Sequence, residues 1–213
     1  PDYWELIAQN RQSLTTNSAF LTRPEKTTQL DVGANWNQGP IEASLSAFYA
    51  HIDDYIMIDN VTKIAGGHTV STVRNVSART AGMEAGLGYR FAAHWHGEAS
   101  LAWVRGRNRS DDTALAQMPP LEARFNLDWD NGTWSAGALL RVVAHQHRVH
   151  PGEGNIVGQD IDKTPGFGVF SVNGGCRLSN RVRLPTANAT LRHRSYTARF
   201  STRRFSVSDY VPT

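Results

Sequence analysis

The residues best suited to chemistry in this sequence are three closely spaced histidines, His145, His147 and His150. Residues two apart on a β-strand project from the same face, so His145 and His147 could share a Cu(II) or Zn(II) ion. Two imidazoles without a fixed third ligand make a weak site, however, and solvated histidines at the mouth of a long loop fit the pattern better. The candidate metal ligands are therefore His145 and His147, and no bound cofactor is predicted.

Other catalytic patterns are missing from the sequence. It contains no Gly-x-Ser-x-Gly elbow, no His-Glu-x-x-His motif and no glycine-rich phosphate loop. Its single cysteine, Cys176, excludes a disulfide framework and a cysteine-based zinc site. We therefore expect a protein that is not an enzyme.

The elements that must position these residues are β-strands with one apolar and one polar face. In the clearest segment, Leu121, Phe125 and Leu127 alternate with charged and amide side chains. The same period-two pattern predicts seven strands, most of them near the ~10 residues that a tilted membrane strand needs. They cover 26–38, 41–49, 73–91, 97–103, 121–129, 134–144 and 167–176.

The connections between these strands alternate strictly between short and long. The short ones are 37–40, 92–95, 130–132 and 179–181, and the long, polar, glycine-rich ones are 59–72, 106–119 and 147–165. Tight turns at one rim and long loops at the other are typical of an outer-membrane barrel. Aromatic residues crowd the short-turn end, where an interfacial girdle would lie. They are Trp36, Tyr89, Phe91, Trp95, Trp129 and Trp134.

The polar faces of the strands predict a hydrated barrel interior. The residues expected to face this lumen are Glu42, Glu84, Glu98, Glu122, Arg124 and Asp128. Their expected role is hydration and packing against a plug rather than direct substrate contact. A soluble antiparallel sandwich or barrel is the alternative, but the strands of such domains average about five or six residues and their loops are not sorted by length.

Positive charge is concentrated at the C-terminal end of the chain. The sequence has 22 Lys and Arg against 19 Asp and Glu, which gives a net charge of +3. Residues 185–213 hold five Arg and one Asp, a net +4, so the preceding 184 residues carry 3 − 4 = −1. The basic character belongs to the tail and gives no reason to expect a nucleic-acid partner.

Several motifs resemble the late barrel strands of TonB-dependent outer-membrane receptors. The run 23–33, which begins Arg-Pro-Glu-Lys, is similar to the signature that opens such a strand. Segments that resemble the strands beside an extracellular loop are 47–49, 52–56, 73–76 and 81–84. More narrowly, 101–109, 118–124 and 155–160 resemble the copper-receptor branch of the family.

The resemblance covers 1–184 and implies an all-β fold, an antiparallel transmembrane β-barrel fragment with about seven to eight strands of a 22-stranded, plugged barrel. It implies import of copper or a copper chelate across the outer membrane of a Gram-negative bacterium. The implied partners are outer-membrane lipid, the metal or metal-chelate ligand, and the TonB complex, reached through an N-terminal plug that this chain lacks. A passive porin or adhesin-type barrel and a TonB-dependent siderophore receptor remain alternatives. After 184 the sequence departs from the family pattern, so 185–213 is predicted to be an unrelated basic tail, frameshifted or disordered.

Overall fold

Alternating apolar and polar segments pair side by side into one open β-sheet. The computed structural model describes residues 16–18, 22–63, 68–155, 158–179 and 182–193. Within these ranges, no helix is long and apolar enough to cross a membrane. The strands are β1 (Thr16–Ser18), β2 (Lys26–Gln38), β3 (Ile41–Lys63), β4 (His68–Ala92), β5 (Trp95–Asn108), β6 (Thr113–Ala114), β7 (Glu122–Asp130), β8 (Trp134–Val143), β9 (Glu153–Asn155), β10 (Gly158–Gln159), β11 (Phe167–Ser179) and β12 (Val182–His193).

Eight long strands form the sheet in the order β2, β3, β4, β5, β7, β8, β11 and β12. Each pairs antiparallel with the next, as expected for strands joined by successive hairpins. The short strands β6, β9 and β10 belong to the long connections, and β1 pairs parallel with β4. The predicted antiparallel all-β fold is confirmed, and within the described ranges the sheet does not close on itself.

The prediction that 59–72 is an irregular loop was wrong. The β3–β4 ladder continues from Ile58↔Val73 to Lys63↔His68, so the hairpin extends well past the length of a membrane strand. Valine and threonine recur in both strands of this hairpin, and both residue types favour extended backbone. The polar residues between them concealed this preference in the sequence. A β-bulge between Ile52 and Tyr55 marks the start of this extension, with Asp54 at a positive φ of 58°. Such bulges are common at barrel rims.

Burial divides the sheet into two levels. At the level of the short turns the apolar face is open, and Leu30 and Phe125 are 67% and 50% exposed. No second protein layer covers this face within the described residues. The buried apolar side chains lie toward the long connections; they are Ala50, Ile56, Met57, Val73, Val76, Ala78, Leu115, Ala116 and Val143. The core therefore sits among the long hairpins and loops, and the turn level offers an uncovered apolar surface.

The aromatic residues predicted at the short-turn end do gather there. The rings of Tyr89 and Phe91 are 5.9 Å apart, those of Phe91 and Trp95 6.1 Å, and those of Trp95 and Trp129 6.4 Å. Because Trp95 and Trp129 are direct cross-strand partners, the chain of rings runs across neighbouring strands. This arrangement is the aromatic belt expected at one membrane interface.

The described backbone continues past the predicted division at 184. In β12 it pairs with β11 from Ser179↔Val182 to Gly168↔His193. The register shifts between Gly174 and Gly175, beside the partner Pro185, which cannot donate a ladder hydrogen bond. Residues 194–213 lie outside the described residues, as does most of 179–181. The foreign origin of 185–213 stays a prediction.

Candidate functional site

The six residues predicted to face a lumen lie on one face of the sheet. Across neighbouring strands, Glu98 pairs with Gly88 and Asn126. Glu122 pairs with Ala102, and Asp128 pairs with His96. Phe125 and Leu127 occupy the intervening positions and therefore the opposite face. The face that holds Glu42, Glu84, Glu98, Glu122, Arg124 and Asp128 is named the polar face below. Its position inside a barrel stays a prediction.

Part of the charge on the polar face is neutralised locally. Glu122 accepts hydrogen bonds from Arg124 Nε at 2.6 Å and from Arg141 Nη2 at 2.6 Å. The Arg141 guanidinium also lies 5.6 Å from the centre of the Phe167 ring. Arg90 Nη2 donates to a Glu42 oxygen at 2.8 Å, nearer the short turns. These pairs hold long side chains against the strands.

A concave groove of about 620 Å³ lies beside these pairs on the polar face. Glu84, Ser100 and Glu122 contribute to its wall, as do Pro119 and Pro120 from the connection after β6. Both polar and apolar groups line it. The groove can hold water or the polar surface of another segment.

The connection between β8 and β11 folds back across the loop end of the sheet. We call its described part, residues 144–155 and 158–166, the strap. In the strap, β9 pairs with β3 beyond the point where β2 ends, through Ile58↔Gly154 and Asp59↔Glu153. Gly154 permits the close approach of β10 to β9, because a Cβ there would lie 2.0 Å from the Gly158 carbonyl oxygen on β10.

The strap also binds the connection between β5 and β7. Asp160 accepts hydrogen bonds from the backbone N–H of Gln117 at 3.0 Å and of His150 at 2.9 Å. Gln146 Nε2 donates to the Met118 carbonyl at 2.6 Å. A Cβ on Gly106 would collide with Met118 and Leu115, so this connection packs directly on β5. Two long connections and the β3–β4 hairpin thus form one packed unit.

Arg74 lies at the centre of this unit. Its Nε donates to Asp59 Oδ2 at 2.6 Å, and its Nη1 donates to Asp111 Oδ1 at 3.2 Å. Its Nη2 lies 3.8 Å from Glu153 Oε1, which in turn lies 3.2 Å from His150 Nδ1. We call Asp59, Arg74, Asp111, His150 and Glu153 the loop cluster. It joins one residue from each long strand of the hairpin to both long connections.

The groups of the loop cluster affect each other's ionisation. The hydrogen bonds with Asp111 and Asp59 raise the pKa of Arg74 despite its partial burial, and the Arg74 guanidinium lowers the pKa of Asp111. Burial, reinforced by the negative charges of Asp59 and Asp111, raises the pKa of Glu153 against the effect of His150 and Arg74. One positive guanidinium therefore faces three carboxyl groups.

The predicted metal ligands His145 and His147 lie at the edge of the strap. Both are exposed, and their ring centres are 5.9 Å apart. No cluster of three or more metal-ligating His, Cys, Asp or Glu side chains occurs in the described part of the chain. Metal binding by this pair stays a prediction. The loop cluster was missed, because its members are far apart in sequence and converge only through the strap.

Comparison with known proteins identifies the family. A family model described as TonB dependent receptor-like, beta-barrel matches residues 1–190. The chain belongs to this family of TonB-dependent receptor β-barrels. The family consists of outer-membrane transporters and receptors rather than enzymes. No curated protein gives a significant match.

Solved structures of the family agree with the fold. The chain is similar to the copper transporter OprC, with 41% identity and a TM-score of 0.78 over 90% of this chain and 29% of that one. It is also similar to the FrpB iron transporter from Neisseria meningitidis, at 19% identity and a TM-score of 0.52 over 76% and 26% of the two chains. The ferric enterobactin receptor PfeA from Pseudomonas aeruginosa is 17% identical, with a TM-score of 0.55 over 75% of this chain and 24% of that one. The chain thus spans less than a third of the length of these structures.

Proposed function

We propose that this chain forms late barrel strands of a TonB-dependent receptor that imports copper or a copper chelate across the outer membrane. The observation that supports copper is the 41% identity to the copper transporter over 90% of the chain. The iron and siderophore receptors reach 14–20% identity, a level that supports a common fold and no common cargo.

The two faces of the sheet support the membrane placement. In this proposal, the exposed apolar residues around Leu30, Phe125 and Leu127 contact acyl chains, which replace the missing protein layer. The polar face lines the lumen, where the acidic residues hydrate the interior and pack against a plug. The loop unit around Arg74 then lies on the extracellular side, and the aromatic belt near Trp95 on the periplasmic side.

A chimeric receptor tests the cargo. In it, this chain replaces the matching segment of the copper transporter, so that the sheet has neighbours on both edges. Cells without their own copper receptor are expected to accumulate copper when they express the chimeric receptor and a functional TonB. A matched control carries the corresponding segment of the FrpB iron transporter instead.

Three results would contradict the proposal. An assembled chimeric receptor that does not restore copper uptake would exclude copper. Uptake of a ferric siderophore instead would favour the siderophore alternative. Copper uptake that persists without TonB would favour a passive porin-like barrel.

We further propose that His145 and His147 hold Cu(II) transiently at the extracellular mouth. Both rings are exposed, their centres are 5.9 Å apart, and imidazole nitrogen is a good Cu(II) ligand. Electron paramagnetic resonance of the chimeric receptor with added Cu(II) should detect coupling to two nitrogens. Double replacement of His145 and His147 by Ala should remove this signal, whereas replacement of His94 and His96 at the turn end should retain it. An unchanged signal in the first variant would exclude the site.

A further inference from the structure

The apolar face ends within two residues of the same register position on three neighbouring strands. Its side chains run along β3 from Ile41 to Tyr49, along β4 from Ala81 to Tyr89, and along β5 from Trp95 to Trp103. Each stretch has the length of roughly 9–11 residues that a tilted strand needs to cross the hydrocarbon layer. Tyr49 and Trp103 therefore mark the level at which the outer interface begins.

The next positions on the same face carry arginine on β4 and β5, and His51 on β3. Arg105 and Arg107 follow Trp103 on β5, and Arg79 precedes Ala81 on β4. Arg79 and Arg107 are direct cross-strand partners, and Arg105 is the partner of Ala81. All three arginines are exposed. Like charges opposite each other on neighbouring strands repel, so this arrangement costs stability unless an anion lies between them.

A fourth arginine comes from the strap. Arg148 Nη2 donates to the Gly106 carbonyl at 3.1 Å, between Arg105 and Arg107. Burial and the nearby charges of Arg105 and Arg107 lower the pKa of Arg148, so it too lies close to unbalanced positive charge. Among the described residues, one of these four arginines forms an ion pair: Arg107 Nη2 lies 2.6 Å from Asp112 Oδ1. Together, these four arginines therefore have one ion-paired carboxylate in the described part of the chain.

We infer that Arg79, Arg105, Arg107 and Arg148 form a binding surface for a phosphate-bearing lipid headgroup of the outer leaflet. The guanidinium fork matches phosphate oxygens in a bidentate manner, and the surface lies where acyl chains give way to headgroups. The apolar residues directly below it would contact the acyl chains of the same lipid, which a free phosphate ion does not have. The inference depends on the proposed membrane placement and not on copper as the cargo.

Native mass spectrometry of the purified chimeric receptor tests this surface. The probes are lipid A with two phosphates, its monophosphoryl form, and inorganic phosphate. We expect lipid A with two phosphates to bind most tightly. Triple replacement of Arg79, Arg105 and Arg148 by Gln should weaken it at least about tenfold, because charge-assisted phosphate contacts are lost. The triple variant should bind the monophosphoryl form about as tightly as it binds lipid A with two phosphates.

Arg90→Gln is the matched control, because Arg90 is also an exposed arginine but lies on the polar face near the short turns, paired with Glu42. Its lipid binding should equal that of the parent. A heat-modifiable band on electrophoresis verifies that every variant has assembled as a barrel. Equal lipid A binding by the triple variant and the parent would overturn the inference, as would inorganic phosphate binding in place of lipid. The measurement does not depend on copper uptake, so lipid binding can be interpreted even if the chimeric receptor imports no copper.

Discussion

Asp59 and Glu153 are direct partners across the pairing of β3 with β9. Each holds one buried carboxylate oxygen, Asp59 Oδ1 and Glu153 Oε2, that has no hydrogen-bond partner among the described residues. Two carboxyl groups in such positions repel each other when both are ionised, and burial strengthens the repulsion. Repulsion between these two carboxylates therefore opposes docking of the strap on the sheet. Protonation of Glu153 would remove this repulsion.

Glu153→Gln should strengthen docking of the strap at neutral pH. The raised pKa of Glu153 means that the docked strap binds a proton more tightly than the undocked one, so docking gains stability as pH falls through this raised pKa. Glutamine resembles the protonated form at every pH and should remove this dependence. Hydrogen exchange of the Gln117 and Asn155 amides, which donate to Asp160 Oδ1 and to Gln117 Oε1, measures docking, because both bonds join the strap to the connection after β5.

The pH profile of the parent should therefore have two limbs. Docking should tighten on acidification down to the ordinary carboxyl range. It should weaken below that range, because the lowered pKa of Asp111 makes its pairing with Arg74 a contribution that is lost on protonation. Asp162→Asn, an exposed change in the same strap, serves as the control and should leave the profile intact. A Glu153→Gln profile identical to that of the parent would contradict the role of Glu153.

Arg74→Met should release the strap and the connection after β5 together. The change leaves the half-buried Asp59 and the buried Glu153 carboxyl groups without their shared cation, at a cost of about 1–3 kcal/mol in local stability. Faster exchange is expected in 109–116 and 150–155, while the membrane level of the sheet stays protected. Arg74→Lys keeps the charge without the forked donors and should recover part of the protection. Fast exchange in one connection alone would show that Arg74 does not couple them.

The membrane level of this fold could be predicted from sequence, because its two faces obey a simple period of two. Leu121, Phe125 and Leu127 alternate with polar residues, and the structure places them as an open apolar face. Two of the short turns, 37–40 and 130–132, were equally clear from their Asn, Gly and Pro residues. Lipid imposes these rules on each strand locally, so no knowledge of distant contacts was needed.

The loop end could not be predicted in the same way. In 59–72 polar residues and glycines separate the few apolar ones, so hydrophobic periodicity gives no clear signal there. The contact of Glu153 with Asp59 depends on the strap crossing several strands to reach a free edge of β3. Single-sequence patterns contain no information about such a long-range pairing. The His145 and His147 pair could be selected from its spacing, whereas the third ligand that a strong site requires could not.

Gly154→Ala should detach the strap through sterics alone. A Cβ at this position would lie 2.0 Å from the Gly158 carbonyl oxygen and 2.6 Å from Gln159 Cα, both of them backbone atoms that cannot rotate away. We expect β9 and β10 to separate, with loss of amide protection at Asp160, and the strap to detach, with loss of protection at Asn155, which donates to Gln117 Oε1. Gly168→Ala in β11 is the control, since its nearest atom would be an Arg141 oxygen at 3.9 Å. Equal protection in the two variants would mean that the β9–β10 approach is not required for docking.

Phe125→Arg should prevent stable insertion of the sheet, because Phe125 lies in the middle of the apolar face between its partners Ala99 and Leu140. Arginine on the lipid side near the midplane costs about 2–4 kcal/mol. The matched variant Asn126→Arg lies one position along on β7, on the polar face opposite Glu98, and should insert normally. The measurement is the fraction of chimeric receptor that forms a heat-modifiable, protease-resistant barrel in outer-membrane preparations. A loss with Asn126→Arg but not with Phe125→Arg would reverse the assignment of the two faces. Equal assembly of both variants would remove the basis for placing lipid against Leu30, Phe125 and Leu127.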